Sequence, residues 1–97
     1  MIAKPDLKVL LAAINLLLWK EWDPIGCGVP KDEYASYANV VTDKALNGAS
    51  EVQILDYLYW AETDNMSLSI ARGEADKRNR PLVTKILLMA QAAKGRI

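Results

Sequence analysis

Five carboxylates, Asp23, Asp32, Glu33, Glu62 and Asp64, are the side chains of this chain with the most chemical potential. Paired carboxylates can pass a proton between them, and dense ones can hold a hard cation. An oxygen-rich metal loop needs spacing such as Asp-x-Asp-x-Asp-Gly, which the sequence lacks. There is no histidine and one cysteine, Cys27, so the usual zinc sites and the Ser-His and Cys-His nucleophile pairs are excluded. No metal, cofactor or catalytic residue is therefore expected. The enzyme reading that survives is an acidic pocket built from Asp23, Asp32 and Glu62 beside a loop at Pro24, in a small enzyme or ligand-binding protein. Glu62 borders the apolar face made by Leu55 and Leu58, which marks it as a candidate buried acid held by a tyrosine hydroxyl or by a Lys or Arg. Asp32 and Glu33 read more simply as residues that complement the positive end of a helix.

A second cluster, Lys77, Arg78 and Arg80, stands just before Pro81 and is a candidate anion site if a helix opens there. Glu74 and Asp76 interrupt the run and no aromatic interleaves with it, so a solvated charged loop is expected and nucleic acid is not. Cys27, between two glycines, has no neighbouring base to activate it.

The elements that must position these residues are helices. A first helix is expected from about Pro5 to Trp22, with Leu7, Leu10, Leu11, Ile14, Leu17 and Leu18 on one stripe and Val9, Ala13 and Leu16 widening it. A helix that apolar is central in a bundle or faces a second subunit. Asp23-Pro24 ends it, with Asp23 accepting nearby backbone N–H groups and Gly26 giving the turn its freedom. A second helix from Lys31 or Asp32 turns Tyr34, Tyr37, Ala38, Val41 and Ala45 inward and stops at Asn47-Gly48. Ser50 and Gln53 have capping-box spacing and open a third helix with Ile54, Tyr57, Leu58 and Ala61 inside. Residues Met66 to Arg80 read as a long loop, and Pro81 opens a fourth helix with Leu82, Val83, Ile86, Ala90 and Ala93 inside. No period-2 run predicts a strand. The expectation is an all-α, compact four-helix bundle-like domain, with a long loop between helices 3 and 4.

At 97 residues the chain is long enough for one self-sufficient core, so a single domain over 1–97 is expected. A composition 52% hydrophobic and 25% charged is that of an ordinary globular protein. The lone cysteine fits a reducing compartment, here the cytoplasm. Val9 to Trp19 is too short to span a bilayer and runs into Lys20 and Glu21 without a small-x-small cleavage site, so neither membrane insertion nor export is expected. The formal charge of zero hides a division. Residues 21–64 carry net −7, residues 65–97 net +5 and the first twenty net +2, so a two-sided electrostatic surface is expected.

Trp22-Asp23-Pro24-Ile25-Gly26, then Asp32-Glu33-Tyr34 two residues beyond the Pro-containing loop, Gly48-Ala49-Ser50, Tyr57-Leu58, Glu62 and Met66 together resemble a family of small uncharacterised bacterial helical proteins. The resemblance spans roughly Trp19 to Leu68 and lies in order and spacing. Ala35 stands where an acid is expected and Ser67 where a glycine is expected. The resemblance implies cargo of mobile elements and toxin-immunity neighbourhoods, and with it a binding role.

Val40, Leu46, Val52, Tyr59, Trp60 and Leu88 fall off the inward stripes, more than a lone bundle needs. Trp and Tyr anchor interfaces. The expected function is thus a non-enzymatic protein–protein interaction module, an immunity or regulatory protein. It would be a homodimer or would bind a basic partner through Tyr59, Trp60, Asp23, Asp32 and Glu33.

Overall fold

A computed structural model describes residues 4–23, 26, 29, 30 and 32–95. Four α-helices follow in order: α1 (Lys4–Leu17), α2 (Ala35–Leu46), α3 (Glu51–Trp60) and α4 (Arg72–Lys94). Among the described residues there is no strand. The chain is an all-α, bundle-like domain. The expectations for Pro24, Ile25, Cys27, Gly28 and Lys31 lie outside the described residues.

Two helices do not end where their α-turns end. Leu18–Trp22 continues α1, and Ala61–Asn65 continues α3, each as one wider π-helical turn. Their closing bonds span five residues, from the Asp23 N–H to the Leu18 carbonyl and from the Met66 N–H to the Ala61 carbonyl, both 2.9 Å. The second turn has a consequence for burial. In it the consecutive residues Ala61 and Glu62 are both fully buried.

Local chemistry accounts for the other boundaries. Ser50 Oγ accepts the Gln53 N–H at 3.2 Å while Gln53 Oε1 accepts the Ser50 N–H at 2.8 Å, so the capping box that opens α3 is complete. At the end of α2 the Ala49 N–H reaches the Lys44 carbonyl at 2.9 Å and the Gly48 N–H reaches that of Ala45 at 3.4 Å. This double closure is a Schellman motif, and Gly48 supplies its left-handed residue at φ +83°. The second helix starts at Ala35, later than the acids implied. Asp32 and Glu33 form the turn before it, closed by the Glu33 N–H on the Pro30 carbonyl and the Ala35 N–H on the Asp32 carbonyl.

The largest departure from the sequence reading is α4, which begins at Arg72 rather than at Pro81. Its buried row is Ala75, Asn79, Leu82, Ile86, Ala90 and Ala93, spaced by threes and fours without interruption. Pro81 interrupts only the bond to the Lys77 carbonyl, and it lies on the exposed side of the helix where water can serve that carbonyl. The connection from α3 is accordingly short, residues 66–71.

The core joins Leu10, Ile14, Leu18 and Trp22 of the first helix to Ala38 and Val41, Ile54 and Leu58, and Val83 and Ile86. Each large aliphatic so buried contributes about 1.5–3 kcal/mol. Helix α4 packs against α1, α2 and α3 alike. The short axis of 18 Å is about two helix diameters, so the bundle is two layers thick. No described helix is long and apolar enough to cross a membrane.

Candidate functional site

The two π-helical turns meet. Trp22 on the first donates its indole Nε1–H to Glu62 Oε2 on the second at 3.0 Å. Asn79 of α4 donates its amide to the same oxygen at 2.7 Å, and Arg78 donates to Oε1 at 2.5 Å. The carboxylate is fully buried, while the Arg78 side chain remains about half exposed. Burying a carboxylate is costly unless its lone pairs are engaged. Three donors engage this one, two of them neutral and buried and one charged and reaching out to water.

Asp23, next to Trp22, forms a second node. Its Oδ1 accepts the Tyr34 hydroxyl at 2.8 Å and the Gly26 N–H at 3.2 Å. The latter is an Asx-type turn, with Gly26 at φ +68°. Asp23 itself is drawn to φ +29°, a region in which Asp is tolerated better than most residues.

From these nodes a row of rings leads outward. Trp22 meets Tyr34 and Tyr37 edge-on, with centroids 5.3 and 5.4 Å apart. Tyr37 lies 6.5 Å from Tyr57, and Tyr57 stacks on Trp60 at 5.7 Å. Trp60 is 46% exposed and ends the row at the surface. Asn65 donates to the Tyr37 hydroxyl. Beside this row a depression of about 510 Å³ is lined by Glu33, Tyr34, Ser36, Tyr37, Asn65, Met66 and Leu68. Burial, and then the neighbouring Tyr37, push the Tyr57 phenol above its usual pKa, and the Lys44 ammonium lies 5.7 Å from the Tyr57 ring.

The residues singled out from the sequence are distributed unevenly over this arrangement. Asp23 and Glu62 flank Trp22, but each is engaged by internal donors, and Asp32 is on the surface. Glu33 lines the depression. Tyr59 turns inward: its hydroxyl donates to the Ile70 carbonyl at 3.0 Å and Arg72 covers its ring, which straps down the connection to α4. Arg72 also pairs with Asp56 and, at 2.8 Å, with Asp76. Hydrogen bonds to Asp56 and then Asp76 raise its guanidinium pKa above the ordinary value.

No protein-family model matches the chain, and neither does any curated protein or solved structure.

Lys77, Arg78 and Arg80 lie inside α4 rather than ahead of a helix start, so the free backbone donors expected beside them are absent. Arg78 is bound to Glu62, and Arg80 to Glu51 at 3.0 Å. With Arg72 on Asp56 and Lys85 on Glu21 at 2.7 Å, four bases of the C-terminal third pair with acids of the middle region. Much of the charge division in the sequence is therefore taken up by ion pairs within the chain. Among the described residues no group of three or more potential metal ligands exists.

Sequence reasoning passed over Asn79 and Asn65. Asn79 had a signal: it continues the three-and-four spacing of Leu82 and Ile86 back to Ala75, and a polar residue on such a row needs a buried partner.

Proposed function

We propose that this chain is a non-enzymatic protein–protein interaction module, docking a partner through the face formed by Trp60, Tyr57, Tyr37, Met66 and Glu33. The observation that carries the reading is the Trp60 ring, 46% exposed yet held by stacking on Tyr57. A large ring fixed in advance loses little freedom on binding, which is the property of an interface anchor. The adjoining depression offers Met66 and Leu68 as apolar lining with Glu33 at its rim. Among the described residues Asp32, Glu33 and Asp64 form no ion pair, which leaves negative charge for a basic partner.

The resemblance supplies the setting of this proposal, a bacterial immunity or regulatory protein carried on a mobile element, and the lone cysteine suits a cytoplasmic place for it. A catalytic use of Asp23, Asp32 and Glu62 gains no support from the geometry, since the Glu62 carboxylate is sealed behind three donors.

Indole fluorescence tests the docking face, because Trp22 is buried and Trp19 donates to the Val29 carbonyl, leaving Trp60 as the exposed reporter. Titration with a Lys- and Leu-rich peptide is expected to give a saturable change in indole emission that weakens with salt, and titration calorimetry, which does not depend on the indole, is expected to show the binding lost in Trp60→Ala, while a Glu- and Leu-rich peptide gives neither response. Equal responses to both peptides, or a response unaffected by Trp60→Ala, would overturn the reading.

A further inference from the structure

A second stripe runs along α1 and its π-helical continuation, flanking the core row of Leu10, Ile14 and Leu18. It reads Asp6, Val9, Ala13, Leu16 and Lys20, again spaced by threes and fours. Val9 is 62% and Leu16 41% exposed, an unusual cost for branched aliphatics in a chain with a complete core elsewhere. Next to Val9 and Ala13, a groove of about 170 Å³ separates α1 from α4 and is floored by Leu10, Met89, Ala92 and Ala93. Leu88, one turn before Ala92, is 61% exposed.

The ends of the stripe carry opposite charges, and neither Asp6 nor Lys20 forms an ion pair among the described residues. We infer that this face pairs with the same face of a second copy of the chain, the two α1 helices antiparallel about a two-fold axis near Ala13. That operation sets Asp6 of each copy against Lys20 of the other and brings Val9 toward Leu16. The small side chain of Ala13 stands where the helices cross, which permits close approach. A parallel pairing would instead oppose Asp6 to Asp6 and Lys20 to Lys20. A 3-4 spacing of apolar residues is the pattern by which helices pack along a shared seam, and a two-fold interface must be self-complementary in this way. The face shares no residue with the one around Trp60, so the two readings stand or fall separately.

Sedimentation equilibrium on the full chain tests the inference. The wild type is expected to dimerise reversibly, and Val9→Asp to sediment as a monomer with unchanged helical circular dichroism. Asp6→Lys and Lys20→Asp are each expected to raise the dimer dissociation constant about tenfold, because each puts like charges together at both symmetric contacts. The double variant Asp6→Lys/Lys20→Asp recreates the opposite pairs and is expected to return within about threefold of wild type, by the same arithmetic. Trp60→Ala leaves dimerisation unchanged. A wild type that is monomeric at millimolar concentration overturns the inference, as does a dimer indifferent to the single swaps, one not rescued by the double swap, or one lost with Trp60→Ala.

Discussion

Trp22 and Glu62 are 40 residues apart in the chain and joined by a 3.0 Å indole-to-carboxylate hydrogen bond, each standing on the π-helical end of its own helix. The bond ties the end of the first helix to the end of the third. Asn79 and Arg78 then bind the fourth helix to the same carboxylate.

Glu62→Ala is expected to destabilise the fold by about 3–5 kcal/mol, because it opens a cavity and strands the Trp22 and Asn79 donors. Glu62→Gln keeps the shape, loses the charge on two short bonds, and is expected to cost about 1–3 kcal/mol. Urea unfolding of both variants checks the order. Equal costs would mean that the charge of the carboxylate, and not the volume it fills, accounts for its whole contribution.

Tyr34→Phe removes only the hydroxyl bound to Asp23 Oδ1, from a ring that is fully buried. A hydrogen bond to a carboxylate contributes about 1.5–3 kcal/mol, and a loss in that range is expected in thermal or urea unfolding. Asp23 holds its left-handed backbone partly through this bond and the one from Gly26, so faster amide exchange at Gly26 is the accompanying sign.

Pro81→Ala is expected to stabilise the protein, by up to about 3 kcal/mol, since the new N–H can reach the Lys77 carbonyl inside α4. Had the helix begun at Pro81, the same change would be neutral or harmful. A rise in the unfolding midpoint distinguishes the two.

Alkaline unfolding reports on Tyr57. Its phenol pKa is raised in the folded state, so the folded chain holds that proton after the unfolded chain has lost it. The stability linked to this group is intact below pH 10.0 and falls as the pH rises from there through the raised value. Wild type is expected to lose stability more steeply above that point than Tyr57→Phe, with similar behaviour of the two at pH 8. Parallel pH profiles would count against it.

The helical architecture was legible where local chemistry decides it. The capping box at Ser50, the glycine stop at Gly48 and the turn at Asp23 each involve residues within a few positions of one another. Helix α4 was legible only from Pro81 onward. Asn79 is polar and so breaks the apolar row, although it is buried because Glu62 waits opposite. Tyr59 shows the same limit. Its off-stripe position marks a surface aromatic, yet it is half-buried, with its hydroxyl on the Ile70 carbonyl and its ring beneath Arg72, both brought back by the chain reversal. The charge division did not show which charges pair, for a related reason: ion partners such as Lys85 and Glu21 are 64 residues apart, and no spacing rule links them.

The Glu62 cluster also settles how α4 is threaded. The buried row of that helix is built mainly from Ala, Leu, Val and Ile at heptad-like spacing, so a slide by two turns would bring Leu82 to the place of Ala75 and Ile86 to that of Asn79 and still keep the row apolar. Such a slide would set an aliphatic side chain against a carboxylate that no water reaches. Only one alignment offers Asn79 and Arg78 to Glu62. The acid thus acts as an address, selecting one register among several that greasy contacts alone would accept.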